Sequence, residues 1–271
     1  MTSDPEKTRT RQNQVRASRL LLAHVVARNL RRGSQVPGVD IEILLPVHNE
    51  GESIEQTVRG MYAELSRSVN PGFIICEDGS KDSTKAILRK LAVELPLRLN
   101  LSDERKGYSR AMREGMAMVE ADYLLCLDSD GQCDPKDFAK FWSQRNSADI
   151  VIGWRVNRAD NLVRKTFSRF FYLLYQTVFH TPIHDPSCPF VLFPREVAHK
   201  LGAELGEMKE GFWWEFVARA HRHKFSILEI PVNHRLRAAG VTQVYSWTKM
   251  PGIFFRHATA LFRIWNQTRT A

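Results

Sequence analysis

From residue 40 onward, short apolar runs alternate with longer amphipathic segments, an order typical of βαβ units. The amphipathic segments predict helices at about Ser53 to Val69, Ser83 to Glu94 and Ser109 to Val119. The apolar runs predict strands, namely IEILLPV, FIICED, LRLNLS, DYLLCLD, DIVIGW and, near the end of the chain, FSILEIPV. This order predicts an α/β fold, with a doubly wound, mostly parallel sheet and flanking helices in a single domain.

The alternation is lost after Trp154. An aromatic segment, the Pro-rich loop TPIHDPSCPF and predicted helices at Arg195 to Leu201 and Trp213 to His223 come before FSILEIPV. No internal repeat or linker divides this part of the chain. We therefore predict three regions: a basic N-terminal arm with a helix at residues 1–39, one domain at 40–245 with halves 40–155 and 156–245, and an amphipathic C-terminal segment at 246–271.

Composition and charge narrow the class of protein. Hydrophobic residues make up 43% of the chain, which supports a full core and argues against a wholly disordered protein. The 39 basic and 30 acidic residues give a net charge of +9, which favours a polyanionic partner such as nucleic acid, anionic lipid or a phosphorylated substrate. Four cysteines without a CxxC pair predict reduced, buried thiols in a cytosolic protein.

Hydropathy argues against a membrane-spanning helix. The N-terminus lacks the apolar segment of a secretory signal, and the chain has no run of about 18 uncharged apolar residues. The segment from Ser246 to Arg269 mixes aromatic and aliphatic residues with lysine and arginine, as helices lying in a membrane interface do. We expect peripheral binding to an anionic membrane surface, on the cytoplasmic face.

Polar clusters follow the first two predicted strands at their carboxyl ends, where parallel sheets bind ligands. Pro46, His48 and Glu50 lie at the end of the first strand, and Asp78 follows the second. Glu50 could instead cap the next helix, and Asp78 could belong to a simple Asp-Gly turn. A dinucleotide-binding Rossmann domain would need G-x-G-x-x-G after the first strand, whereas this chain has PVHNEGES.

The run DYLLCLDSDGQCDP predicts a strand that ends in closely spaced oxygen ligands. Asp128, Asp130 and Gln132 could share a hard divalent cation with a diphosphate, and the cation would neutralise charge on the leaving group. A metal-free Asp-Ser-Asp-Gly turn is the alternative. Lys106, just before a predicted helix, is a candidate phosphate ligand or part of a solvated basic loop.

Four strings in this order resemble the nucleotide-sugar half of the family 2 inverting glycosyltransferases of GT-A fold: LLPVHNE, ICEDGSKDST, RKGYSRAMREG and LLCLDSDGQCDP. The resemblance covers about Ile41 to Pro135 and implies a GT-A-like domain, a GDP- or UDP-sugar donor, and Mg²⁺ or Mn²⁺. It implies one displacement with inversion. The implied donor-binding residues are Pro46, His48, Glu50, Asp78 and Asp128. Lys106 is added to them as a candidate ligand of the donor phosphate. The implied metal ligands are Asp128, Asp130 and Gln132.

A second part of the chain is similar to the dolichol-phosphate mannose synthase branch of that family, whose acceptors are polyprenyl phosphates. The matching strings are HDPSCPFVLFPRE and FSILEIPVNHRLRAAGVTQVY, with Cys188-Pro189 in place of the branch's Ser-Gly and Gln243 in place of its lysine. The resemblance implies that residues 156–245 form the acceptor half. The implied acceptor- and phosphate-binding residues are Asp185, Ser187, Arg235, Arg237, Thr242 and Gln243.

The candidate catalytic residues are Asp130, Arg237 and Glu215, the last near the start of a predicted helix in GFWWEF. Glu215 is the best-placed candidate for a general base. A polyprenyl phosphate oxygen is already anionic near neutral pH and needs no deprotonation, so Glu215 could instead orient a neighbouring group.

Three other functions remain as alternatives. A glycosyltransferase acting on a soluble or polysaccharide acceptor is the first. A sugar nucleotidyltransferase should carry a Gly-rich basic loop after its first strand, and PVHNEGES does not provide one. A basic membrane- or nucleic-acid-binding module would explain the charge but leave the ordered Asp clusters unused, so no nucleic-acid partner is expected. The sequence favours a metal-dependent inverting glycosyltransferase that acts on polyprenyl phosphate at a membrane surface.

Overall fold

A computed structural model of the protein describes residues 38–156, 172–173, 175–206, 208, 211–233 and 250–269. Within these residues the strands form one seven-stranded sheet, in the order β3-β2-β1-β4-β6-β5-β7. Neighbouring strands are parallel except at β6, which is antiparallel to both β4 and β5. The prediction of a mostly parallel α/β sheet is confirmed. The strands are β1 (Ile41–Val47), β2 (Pro71–Glu77), β3 (Leu97–Asn100), β4 (Tyr123–Cys126), β5 (Ile150–Arg155), β6 (Val191–Pro194) and β7 (Ile227–Val232).

Helices flank the sheet, and those predicted between the first strands lie within a few residues of their expected bounds. A 3₁₀ turn at Pro135–Asp137 leads into the fourth helix. The helices are α1 (Ile54–Leu65), α2 (Thr84–Glu94), α3 (Tyr108–Met118), α4 (Phe138–Gln144), α5 (Arg195–Glu204), α6 (Phe212–Arg222) and α7 (Met250–Arg269).

Two elements did not emerge from the sequence pattern. The four residues of β6 form a short apolar run directly before α5, and their pairing with β4 and β5 makes them a strand. The second is α4, whose seven residues are too few to show a helical period. The helix predicted at Val15 to Arg32 lies outside the described residues.

The core lies between the sheet and its helices, and every residue of β1 and β2 is buried. This is expected for parallel strands covered on both faces. A second, smaller apolar cluster joins the helical residues 175–179 to α6 and α7. All four cysteines are buried and free, as the sequence predicted.

The α7 helix lies where the sequence predicted an amphipathic C-terminal segment. No helix in the described part of the chain has the length and hydropathy needed to cross a membrane.

Alanine should have opposite effects on stability at two helical glycines, Gly115 of α3 and Gly60 of α1. A Cβ at the buried Gly115 would lie 2.2 Å from Leu44 Cδ1 and 2.9 Å from Cys76 Sγ, whereas a Cβ at Gly60 would meet nothing within 4 Å. We expect Gly115→Ala to lower the free energy of unfolding by about 1–3 kcal/mol through overpacking. Gly60→Ala should raise it by about 0.5–1 kcal/mol, because alanine favours a helix over glycine. Urea unfolding of both variants measures this, and equal effects would contradict the described packing.

Candidate active site

The loops after β1 and β2 are joined by hydrogen bonds at the carboxyl edge of the sheet. His48 Nδ1 lies 2.7 Å from the backbone oxygen of Asp78, and the backbone N–H of Asn49 donates to Ser80 Oγ at 2.9 Å. Asn49 Oδ1 in turn accepts from the backbone N–H of Lys81 at 2.9 Å. The structure therefore brings His48 and Asp78 together, as the sequence predicted for a shared ligand crevice.

Pro46 and Glu50 lie on either side of His48 in the same segment. Pro46 is buried in β1 opposite Cys76 of β2. Glu50 accepts a hydrogen bond from Ser53 Oγ at 2.9 Å, and its backbone N–H donates to Thr84 Oγ1 at 3.0 Å. Glu50 thus helps to fix the entry into α1, while its assignment to donor binding remains a prediction.

Two adjacent carboxylates at the end of β2 hold the loop between β3 and α3. Glu77, which is fully buried, accepts from the backbone N–H groups of Ser80 and Ser102. Asp78 Oδ1 accepts from the N–H groups of Lys106 at 2.5 Å and Gly107 at 2.8 Å. Burial opposes the charge of Glu77, but these hydrogen bonds outweigh it and lower its pKa. The sequence placed Glu77 beside Asp78 at the end of a strand as a possible hydrogen-bond acceptor for a ligand, whereas its partners in the structure are the backbone N–H groups of Ser80 and Ser102.

Lys106 reaches the site through its backbone, while its ammonium is paired elsewhere. Lys106 Nζ lies 2.6 Å from Glu114 Oε2, and the lysine side chain is only 6% exposed. Glu114 also accepts from Asn100 at 2.9 Å and from Arg110 at 2.8 Å. The predicted contact of Lys106 with a donor phosphate stays a prediction.

Tyr108, the first residue of α3, connects the loop between β3 and α3 to the predicted metal loop after β4. Its hydroxyl donates to Asp128 Oδ1 at 3.0 Å and accepts from Trp213 Nε1 at 2.9 Å. Burial, followed by the charge of Asp128, raises the pKa of Tyr108 well above its usual value, so the hydroxyl keeps its proton. The sequence placed Tyr108 at a helix start directly after Gly107, but its partners Asp128 and Trp213 lie 20 and 105 residues away, so no local pattern records them.

The predicted metal ligands lie in one turn after β4. The backbone N–H of Gln132 donates to Asp130 Oδ1 at 3.1 Å, and Gly131 takes a positive φ of 73° that closes the turn. Asp128, Asp130 and Gln132 are all partly exposed. The structure thus combines the predicted Asp-Ser-Asp-Gly turn with side chains that a ligand can reach.

This set of side chains fits a hard divalent cation. Its donors are all oxygens, which Mg²⁺ and Mn²⁺ favour. The described residues contain no cluster of three or more His, Cys, Asp or Glu side chains suited to a metal. Two carboxylates and an amide match Mg²⁺, which usually keeps several waters and binds through substrate phosphates rather than in an all-protein cage.

Asp185 forms a largely buried ion pair with Arg155 at the end of β5. Arg155, at the end of β5, donates to both carboxylate oxygens of Asp185 at 2.7 and 2.8 Å and to Ser187 Oγ at 2.6 Å. Burial opposes the charge of Arg155, but its hydrogen bonds to Asp185 dominate and raise its pKa. Arg155 did not emerge from the sequence, because its partner lies 30 residues away.

A second carboxylate, Glu229 of β7, fixes the backbone of the same loop. It accepts from the N–H groups of His184 at 2.9 Å and Asp185 at 3.0 Å. The sequence-predicted pair Asp185 and Ser187 is therefore brought together, with a hydrogen bond of 2.9 Å between the two side chains.

Glu215 is fully buried in α6, and both of its oxygens accept hydrogen bonds. One accepts from the backbone N–H groups of Gly206 at 3.2 Å and Met208 at 2.9 Å, and the other from Arg219 Nε at 2.8 Å. Of the two roles considered for Glu215, this environment suits the orientation of neighbouring groups. The remaining candidates, Arg235, Arg237, Thr242 and Gln243, lie outside the described residues.

The sequence of this chain is similar to a known family of proteins. Residues 42–202, more than half of the chain, match the sequence profile of glycosyl transferase family 2. The chain belongs to this family. The matched region extends from β1 to β6, so it includes the loops after β1, β2 and β4 as well as the loop of Asp185.

Several curated relatives are 25% to 30% identical to this chain over the aligned residues. Glycosyltransferase AglD of Haloferax volcanii is 30% identical over 208 residues, covering 72% of this chain and 33% of that protein. The dodecaprenyl-phosphate galacturonate synthase of Rhizobium johnstonii is 28% identical over 222 residues, covering 78% and 64%. The dolichyl-phosphate beta-glucosyltransferase of Dictyostelium discoideum is 25% identical over 219 residues, covering 73% and 67%. The chain therefore spans a third of the first relative and just under two thirds of the second.

Solved structures confirm the GT-A-like fold of this family 2 domain. Glucosyl-3-phosphoglycerate synthase from Mycobacterium tuberculosis, in complex with Mg²⁺ and UDP, superposes with a TM-score of 0.63 at 16% identity, covering 84% of this chain and 80% of that one. A complex of the same enzyme with Mn²⁺, UDP and glucosyl-3-phosphoglycerate gives a TM-score of 0.62 at 16% identity, covering 84% and 81%. At this identity the likeness establishes the fold alone.

The ion pair between Lys106 and Glu114 predicts a loss of stability in acid. Burial opposes the charge of Glu114, but hydrogen bonds from Lys106, Asn100 and Arg110 lower its pKa from 4.5 to about 2. Because the pKa is lower in the folded state, the stabilisation is complete above about pH 4.5 and is lost as the pH falls towards about 2. Glu114→Gln should therefore flatten the dependence of unfolding free energy on pH in this window. Urea unfolding at a series of pH values measures it, and an unchanged slope would contradict the described pairing.

Proposed function

We propose that this family 2 domain transfers a sugar from a GDP- or UDP-sugar to a polyprenyl phosphate at a membrane surface, in one inverting displacement. The observation that carries the proposal is the bridge formed by three consecutive residues. Lys106 and Gly107 donate backbone hydrogen bonds to Asp78, and Tyr108 donates its hydroxyl to Asp128. This bridge fixes the spacing between a nucleoside pocket and a diphosphate site.

The donor would lie along the carboxyl edge of β1, β2 and β4. Pro46, His48, Glu50 and Asp78 would line the nucleoside pocket, and Asp128, Asp130 and Gln132 would hold Mg²⁺ or Mn²⁺ against the diphosphate. The cation supplies charge neutralisation for the leaving nucleoside diphosphate. Tyr108 keeps Asp128 in one orientation through its hydroxyl.

The acceptor is proposed to be a polyprenyl phosphate because two of the relatives are named for dodecaprenyl- and dolichyl-phosphate substrates. The acceptor would approach the loop of Asp185 and Ser187, with Arg235, Arg237, Thr242 and Gln243 on its phosphate. Since a phosphate oxygen is already anionic near neutral pH, no general base is required. Glu215, enclosed with both oxygens occupied, then acts by orienting its neighbours.

Membrane contact is assigned to α7 together with the basic arm at residues 1–39. On α7, Phe262 is 66% exposed, and both Arg256 and Arg263 are exposed. An apolar side chain beside cations suits the interface of an anionic bilayer, where each cation near the surface contributes about 1 kcal/mol. We place the protein on the cytoplasmic face of the membrane.

Replacement of a proposed metal ligand tests the donor site. We expect Asp130→Ala and Asp128→Ala each to abolish metal-stimulated transfer, with the fold intact because both side chains are partly exposed at a strand end. Release of nucleoside diphosphate with Mg²⁺ or Mn²⁺ is the assay, and circular dichroism checks the fold. Glu120→Ala, which removes an exposed carboxylate before the amino end of β4, is the matched control. Near-normal turnover in purified Asp130→Ala would show that the metal assignment is wrong.

Variants of Arg237 and a comparison of acceptors test the proposed acceptor site. Loss of one charge-assisted contact typically costs about 1.5–3 kcal/mol, so Arg237→Ala should slow transfer to polyprenyl phosphate by roughly ten- to more than a hundredfold while nucleotide binding persists. Arg237→Lys should recover only part, because lysine lacks the guanidinium fork. The transfer rate is measured with polyprenyl phosphate and with soluble sugars or peptides. Efficient transfer to a soluble acceptor alone would overturn the lipid-acceptor proposal and keep only the family assignment.

A further inference from the structure

Helix α6 lies between two apolar layers and contacts both. Phe216 and Val217 pack in the main core, where Phe216 lies 5.1 Å from Phe193 of β6 between ring centroids. Ala218 and Trp214 belong instead to the second cluster, together with α7. A shift of α7 therefore acts directly on the helix that carries Trp213 and Glu215.

The apolar contact of α7 extends to the connection between α5 and α6. Ala260, Leu261 and Ile264 of α7 are buried in one cluster with Met208, which is 1% exposed. Met208 also accepts a hydrogen bond from Ser109 Oγ at 2.7 Å through its backbone oxygen. One residue thus joins the apolar face of α7 to the first turn of α3.

A polar contact runs parallel to this apolar one. Gln267 of α7 accepts a hydrogen bond from Arg219 at 2.9 Å, and Arg219 donates to Glu215 at 2.8 Å. Glu215 then accepts from the backbone N–H groups of Gly206 and Met208. Because Glu215 is fully buried, loss of any of these donors would leave a buried carboxylate oxygen with fewer hydrogen bonds.

Both contacts end at the Tyr108 bridge. Trp213, in the first turn of α6, donates to the Tyr108 hydroxyl, which donates to Asp128. Ser109, the next residue of α3, is held by Met208. The position of α6 and of its preceding connection therefore determines how Tyr108 meets the predicted metal loop.

We propose that α7 is a positioning element of the donor site, with Met208, Arg219 and Gln267 as the positioning residues that act through Tyr108 on Asp128. The activity consequence rests on the function proposed above, whereas the coupling itself does not. Since α7 also carries the exposed Phe262 and the exposed arginines, the helix assigned to the membrane is the same helix that is proposed to position the donor site.

A buried carboxylate in α7 tests the apolar contact in the full-length protein. Ile264→Asp places a charge in an enclosed cluster, whereas Asn266→Asp places the same charge at an exposed position of the same helix. We expect only Ile264→Asp to speed amide hydrogen exchange in α7, in the α5–α6 connection and at residues 104–110. Exchange in β1 and β2 should stay unchanged in both variants. Fast exchange in α7 with unchanged exchange at residues 104–110 would overturn the proposal.

A milder pair of variants tests the polar contact without risk to the fold. Gln267→Ala removes the acceptor of Arg219, and Gln267→Glu keeps an oxygen there. We expect Gln267→Ala to speed exchange at Gly206, Met208 and residues 104–110, and Gln267→Glu to retain the protection. Equal exchange in Gln267→Ala and the unmutated protein would count against the polar contact.

Nucleotide affinity separates the coupling from the proposed function. Calorimetry with UDP or GDP and Mn²⁺ should show about three- to tenfold weaker binding in Ile264→Asp, corresponding to one weakened hydrogen bond at Asp128. In turnover assays the kcat should fall while the KM for the acceptor stays the same. If neither nucleotide binds the unmutated protein, the proposed function fails, and the exchange experiment still decides the coupling.

Discussion

The geometry of the proposed donor site depends on the carboxylates that accept hydrogen bonds from the start of helix α3 and the residues before it. Asp78 holds the N–H groups of Lys106 and Gly107, while Asp128 holds the hydroxyl of the next residue, Tyr108. The two carboxylates belong to loops after β2 and β4, which lie on either side of β1. Because these strands are parallel, their carboxyl ends reach the same edge, and one short segment can span from one loop to the other.

The second half of the protein relies on buried charges that are satisfied by hydrogen bonds. Glu215 is enclosed, and an isolated buried carboxylate would cost several kcal/mol. Arg219 and the backbone N–H groups of Gly206 and Met208 offset this cost, and the same hydrogen bonds fix Gly206 and Met208 against α6. Arg155 and Asp185 form a similar buried pair in the loop that is proposed to meet the acceptor. Both pairs, Arg219 with Glu215 and Arg155 with Asp185, therefore fix backbone segments near the proposed sites.

The proposed membrane contact and the donor site are linked by this arrangement. Helix α7 has a buried face against α6 and an exposed face with Phe262 and basic residues. The proposed lipid contact and the packing of α6 would therefore involve the same helix.

The sequence by itself determined the parallel half of the sheet, since apolar strands alternating with amphipathic helices have a local period. It also placed Asp78, Asp128 and Asp130 at the carboxyl edge of the sheet, because residues directly after parallel strands lie at that edge. Only the tertiary structure decided that β6 runs antiparallel, that Lys106 pairs with Glu114, and that Glu215 is enclosed. These features depend on contacts between distant residues, such as Trp213 with Tyr108, which no local pattern of hydrophobic and polar positions records.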